Sequence, residues 1–110
     1  GDAALAGFAT LLQASFADGI IARMGGDEFV VALQGEYTKE EMCQRLDGFM
    51  EKMRAFFDMN HEFKNLSVSI GVLLEKNNDG QVDVLLHKSD EAMYRAKKSG
   101  KNRYCFYEDI

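Results

Sequence analysis

The residues of this chain best equipped for chemistry are Gly25, Gly26, Asp27 and Glu28, followed at once by Phe29. Two adjacent carboxylates offer hard oxygen ligands of the kind Mg²⁺ accepts, an ion commonly held by one or two carboxylates together with substrate phosphates. Glycines remove Cβ atoms and let a ligand lie close to the backbone. The set suits phosphoryl or nucleotidyl transfer, in which a metal neutralises charge on the reacting phosphate. On residue types alone, a polar hairpin turn with its acids in water explains the same segment. A basic cluster, Arg95, Lys97, Lys98, Lys101 and Arg103, suits a small phosphate ligand. On charge alone the solvated end of a helix is the plainer reading of it. His61 and His87 are isolated and read as packed or surface side chains rather than ligands, with His87 near the core face of the last helix. Cys43 and Cys105 lie far apart without metal-ligand spacing and read as reduced core thiols.

The elements that must position these residues follow from periodicity. Leu5, Phe8, Leu12 and Phe16 recur at spacings of three and four, which predicts a helix over Ala3 to Phe16. Ile20 to Arg23 and Phe29 to Leu33 are short β-rich runs, and Met24 to Glu28 between them reads as a hairpin connection. Thr38 with Glu41 is a capping box, and Met42, Leu46, Phe49, Met50, Met53, Phe56 and Phe57 mark the core face of the helix that follows. Leu66 to Leu74 alternates and reads as a strand with one face in the core. Asn77 to Gly80 is a turn. A further helix is predicted from about Asp83 to Ser99, with Gly100 where a left-handed cap belongs, and Arg103 to Tyr107 closes as a β-run.

At 110 residues, with 46% hydrophobic and 28% charged residues, the chain reads as one soluble globular domain. A net charge of -5 argues against a nucleic-acid polymer as partner, because phosphate-backbone binding needs clustered Lys and Arg. The apolar stretch Ala3 to Leu12 is too short to span a bilayer and follows Asp2 rather than a basic segment, so no membrane segment is expected.

Gly25-Gly26-Asp27-Glu28-Phe29 resembles the signature of the GGDEF family, which synthesises cyclic di-GMP from two GTP molecules. Arg23-Met24 before it and Val30 to Leu33 after it resemble the family's flanks. Leu66 to Val72 resembles its Ser-Ile-Gly strand, and Ser89 to Lys97 resembles the helix usually written ADEAMYRAK. Gly100-Lys101-Asn102 stands where the family tends to have Gly-Arg-Asn, and Gly1 to Leu5 resembles the GDxxL opening its second helix. The resemblance covers the whole chain, 1–110, in order. It implies an α/β (α+β) fold of the nucleotidyl cyclase-like kind, a mixed, mainly antiparallel sheet with flanking helices. It also implies that the chain is the C-terminal two-thirds of the domain, without the first strand and first helix.

By the same resemblance, Asp27 is a ligand of the catalytic Mg²⁺ (or Mn²⁺), and Glu28 is a second ligand or the base for the attacking ribose 3′-hydroxyl. Gly25 and Gly26 let the nucleotide lie against the hairpin, Asp2 accepts from the guanine edge, and Lys97 and Lys101 hold the terminal phosphates. The implied chemistry is attack of one GTP 3′-hydroxyl on the α-phosphate of another, with pyrophosphate leaving. It requires a homodimer with antiparallel facing sites, in a cytoplasmic protein with an upstream sensor domain.

Three departures qualify this. The family's opening strand carries a further metal carboxylate, so Asp27 and Glu28 are the acids left, and this chain alone is expected to be inactive. Loss of that central strand is expected to expose backbone on its two neighbours. Lys101 replaces the usual Arg, keeping the charge without the bidentate fork. Finally, an inhibitory RxxD would fall on Phe16 and Gly19, so that site is expected to be lost, with Asp18 one residue out of register and lacking an Arg partner.

Overall fold

The computed structural model of the chain describes residues 2–59, 67–76 and 81–109, with side chains for all of these but 2–5 and 56. His61, Leu66 and the Asn77 to Gly80 turn lie outside the described residues. The elements are α1 (Asp2–Ser15), β1 (Ile20–Arg23), β2 (Glu28–Gln34), α2 (Lys39–Met59), β3 (Ser69–Glu75), α3 (Val82–Lys98) and β4 (Arg103–Phe106), then a 3-10 turn, Tyr107–Asp109. That is the order periodicity predicts.

The four strands lie in the order β1-β2-β3-β4. The tight connection at Met24 to Asp27 makes β1 antiparallel to β2, from Ile20 opposite Ala32 to Arg23 opposite Phe29. The other two pairings, β2 with β3 and β3 with β4, are parallel. The sheet is therefore mixed, as expected, but its described pairings are not mainly antiparallel. The physical reason is connection length: α2 and α3 carry the chain back along the sheet, so each following strand starts from the same end.

The exposed backbone expected at the centre of the sheet is not found either. β2 and β3 pair directly, in register from Glu28 opposite Ser69 to Gln34 opposite Glu75. Unpaired N–H and C=O groups are costly when buried, and direct pairing satisfies both inner edges at once.

Alternation along β2 sends side chains to two cores. Phe29, Val31 and Leu33 join Ile70 and Val72 of β3 against Phe8, Leu12, Met42, Leu46 and Phe49 of α1 and α2. Phe8 meets Phe29 at 4.9 Å and Phe49 at 5.2 Å between ring centroids. Such ring pairs add about 0.5–1.5 kcal/mol each beyond area burial. On the opposite face, Ala32 and Leu73 pack with Leu85 of α3. Thus Ser69 to Leu73 is buried throughout, not on one face as its pattern suggested.

The second helix layer comes close because of one glycine. A Cβ on Gly71 would stand 1.9 Å from the Ser89 carbonyl oxygen and 2.3 Å from the Met93 nitrogen. The α3 stripe facing it, Leu85, Ser89, Ala92, Met93 and Ala96, is buried and includes small residues at the contact. Ser89 satisfies its buried hydroxyl by donating to the Leu85 carbonyl at 2.8 Å. His87, expected near this face, instead points to solvent and pairs with Glu91 at 3.0 Å. It sits two residues from both Leu85 and Ser89, on the opposite side of a 3.6-residue turn.

Candidate functional site

The hairpin tip is closed by the Met24 N–H donating to the Glu28 carbonyl at 2.8 Å. Arg23 Nε donates to the carbonyls of Gly25 (3.1 Å) and Gly26 (3.0 Å), so the guanidinium braces the turn from below. Ser69 N–H donates to the Asp27 carbonyl at 3.0 Å, which ties the tip to the start of β3. Sequence reasoning quoted Arg23 only as a flank. Its bracing role depends on turn geometry that spacing does not reveal.

The two glycines differ in what they allow. A Cβ on Gly25 would stand 3.0 Å from the Glu28 carboxyl carbon, so Gly25 leaves room for that carboxylate. A Cβ on Gly26 would meet nothing within 4 Å, and this is the open side of the turn.

Asp27 and Glu28 are both half-buried. Lys97, in the last turn of α3, donates to Glu28 Oε1 at 2.5 Å. That hydrogen bond, reinforced by the charge of Glu28 and more weakly of Asp27, raises the Lys97 ammonium above the usual lysine range. The structure therefore brings together three of the residues singled out by sequence, two from the hairpin and one from 69 positions further along.

The end of α3 that carries Lys97 is fixed by its cap. Lys101 N–H donates to the Ala96 carbonyl at 3.1 Å and Gly100 N–H to the Lys97 carbonyl at 3.4 Å, the paired bonds of a Schellman motif. Gly100 has φ 129°, as expected of the cap, while Lys101 (62°) and Asn102 (52°) continue the left-handed turn. Lys101 is exposed, and its ammonium makes no ion pair among the described residues. Asp2 opens α1, but its side chain is not among those described.

Two carboxylates at a tip match the donor type a hard divalent cation prefers, and a positive group already sits on one of them. Among the described residues no cluster of three or more His, Cys, Asp or Glu forms a self-sufficient metal cage. A metal here would take the rest of its ligands from water and from phosphate. Cys43 and Cys105 are free and partly buried.

Elsewhere, Asp18 does have an arginine partner, contrary to expectation. Arg45 NH2 lies 3.4 Å from Asp18 Oδ1, and the Tyr37 hydroxyl donates to Oδ2 at 2.6 Å. The partner comes from α2, out of reach of a local motif. Phe16 is buried in the core and Gly19 is packed against Leu33, so neither position is free for a ligand.

The fold and the paired acids define a class, and the comparisons agree with it. A family model described as diguanylate cyclase, GGDEF domain, matches residues 1–103, so the chain belongs to the GGDEF family. It is 34% identical over 89 residues to the bifunctional diguanylate cyclase/cyclic di-GMP phosphodiesterase MucR of Pseudomonas aeruginosa, covering 80% of this chain and 13% of that protein. It is 31% identical to a diguanylate cyclase of Vibrio cholerae, covering 97% of this chain and 33% of that one. It is 34% identical to the diguanylate cyclase DgcS of Shewanella oneidensis, over 74% and 26%. The chain thus spans a third or less of the length of these relatives. No solved structure matches it. Among the described residues, no helix is long and apolar enough to cross a membrane.

Proposed function

We propose that this chain is the GTP-handling module of a cyclic di-GMP signalling protein, whose parent condenses two GTP molecules with release of pyrophosphate. The observation that carries the reading is the meeting of Lys97 with Glu28. A phosphate-holding cation and a metal-holding carboxylate from distant segments converge on one open hairpin. The packing of α3 on β3 at Gly71 is what brings them there.

In this reading Asp27 and Glu28 hold Mg²⁺ or Mn²⁺, and the metal, when bound, neutralises charge on the reacting phosphate. Glu28 is placed either to complete the metal ligands or to take the proton of the 3′-hydroxyl. The open side of Gly26 admits the nucleotide, Lys97 and Lys101 meet its terminal phosphates, and Asp2 meets the guanine edge. Such catalysis comes from positioning and electrostatic stabilisation rather than covalent chemistry. Each hairpin serves one GTP, so two copies face each other antiparallel. The setting is cytoplasmic, under an upstream sensor domain.

A second reading is a module that binds GTP or dimerises without turnover. One observation favours it for this chain alone: no third carboxylate joins the pair among the described residues. Turnover by the isolated chain is accordingly expected to be absent. The test is incubation with GTP and Mg²⁺ or Mn²⁺, with products separated by chromatography. Cyclic di-GMP that disappears in Asp27→Ala supports the cyclase reading for this chain itself. GTP binding without product supports the module reading. Absence of both binding and product overturns the GTP-handling reading for this chain and leaves dimerisation as the module's role.

A further inference from the structure

We propose that Lys97 holds Glu28 closed against divalent cations in the nucleotide-free site, and that nucleotide phosphates open it by drawing the ammonium away. The proposal rests on the GTP reading above.

The contact joins two rigid supports. Glu28 is the first residue of β2, fixed by the Met24 hydrogen bond and by its register with Ser69. Lys97 follows the fully buried Ala96 on a helix seated against Gly71, and its carbonyl is held by the cap. Both backbones are tied into the packed sheet and its helix layer. The ion pair therefore breaks by rotation of the lysine side chain, which is 38% exposed and has solvent to swing into.

Charge then decides what the site accepts. With Lys97 in place, the charge of Glu28 is paired, and among the described residues Asp27 is the carboxylate left unpaired at the tip. The ammonium also occupies a carboxylate oxygen that a divalent ion would need. Mg²⁺ dehydrates reluctantly and gathers near-octahedral oxygens, so one free carboxylate next to an ammonium is a poor site. A triphosphate changes both terms at once: its oxygens accept Lys97, and they bring ligands of their own. Arg23, the other cation at the hairpin, is tied to the Gly25 and Gly26 carbonyls and does not share this role. Linkage makes the effect reciprocal: if nucleotide promotes metal binding, metal promotes nucleotide binding by the same factor.

The experiment is Mn²⁺ titration of this chain, read by electron paramagnetic resonance of the free ion, with and without 3′-deoxy-GTP, which cannot be cyclised. Lys97→Met should tighten Mn²⁺ binding without nucleotide by about fivefold, the upper range for a partly exposed ion pair. Lys97→Arg keeps the charge and should stay within about twofold of the wild type, which separates competition from mere side-chain bulk. In the wild type the analogue should tighten Mn²⁺ binding, and in Lys97→Met that gain should shrink. Equal Mn²⁺ affinity in wild type and Lys97→Met would overturn the proposal. If Lys97→Met tightens Mn²⁺ binding while the analogue changes nothing in either protein, the competition for Glu28 stands and the GTP reading falls.

Discussion

The two ends of the sheet present the same device in different settings. At the amino ends of β2 and β3, Lys97 clasps Glu28 at 2.5 Å beside an open hairpin. At their carboxyl ends, Lys39 clasps Asp109 at 2.6 Å, next to a cavity of about 580 Å³ lined by Gly35, Tyr37, Lys39, Leu74 and Lys76 among others. Both lysines are raised above the usual range, first of all by their carboxylate partner. Ligands of open parallel sheets gather at the carboxyl ends, so concavity alone would point to the second place. Yet there the clasp joins the start of α2 to the 3-10 turn, a brace between exposed elements. Among the described residues, the amino end has paired acids, a braced turn and a glycine with nothing within 4 Å of its Cβ position. Under the cyclase reading, a facing copy meets the hairpin on that open side. Room and chemistry lie at opposite ends of the described sheet, and the proposed site follows the chemistry.

The comparison breaks most completely if α3 is lifted from the sheet, because α3 delivers Lys97 to the amino end. Gly71→Ala forces a methyl into the backbone of Ser89 and Met93, contacts that no side-chain rotation relieves. The expected cost is about 3 kcal/mol or more, at the upper end for overpacking, read as a lowered urea midpoint. A loss under about 1 kcal/mol would mean that α3 has slack and that Gly71 does not fix Lys97. A finer break keeps the fold and tests the ends against each other. Asp27→Ala should weaken Mn²⁺-dependent binding of a GTP analogue by about tenfold or more, since even groups supporting a metal ligand cost 10–100-fold. Lys39→Met should change that affinity by less than about twofold, because its clasp is exposed and at the far end. Calorimetric titration gives both values. A loss in Lys39→Met that Asp27→Ala does not show would place the nucleotide at the cavity and reverse the comparison.

Much of this arrangement was legible in the sequence, for identifiable reasons. The element order followed from period and punctuation: Thr38 Oγ1 does accept from the Glu41 N–H at 3.1 Å, and Gly100 does take the left-handed cap. The hairpin acids and Lys97 were picked out by residue type and by resemblance. Their mutual contact was not, because a pair 69 residues apart leaves no local pattern. The same distance hid Arg45 from Asp18. The parallel pairing of β2 with β3 and the double burial of β3 were also hidden. Alternation reports that a strand has two faces, but not that a helix lies close enough on the second to cover small residues. Gly71 was visible only as part of a Ser-Ile-Gly pattern, and its role appears once Ser89 and Met93 lie across from it.

The smallest expected effect concerns the rim of the carboxyl end. Asp18 accepts from Tyr37, a residue lining the cavity there, and pairs with Arg45, which also donates to the Ser15 carbonyl at 2.6 Å and lies over the Phe16 ring. The Tyr37 hydrogen bond does most to hold the Asp18 carboxyl below the usual range; burial opposes it, and smaller contributions from Arg45 and the backbone add to the lowering. A carboxyl whose folded pKa is depressed stabilises the fold above its unfolded pKa, and that stabilisation is lost as pH falls through the folded value. Both partners in the ion pair are about two-fifths exposed, so screening limits the contribution to below about 1 kcal/mol. Asp18→Asn should therefore lower the urea midpoint slightly at pH 7, and the gap from wild type should close below about pH 4, the ordinary carboxylate range. A gap that persists in acid would assign the effect to the geometry of the Tyr37 hydrogen bond instead of the charge. Either way, GTP-analogue affinity should be unchanged, since Asp18 stabilises the end of the sheet away from the hairpin acids. A loss of affinity would mean that α1 and α2 transmit strain to the hairpin and that the two ends are not independent.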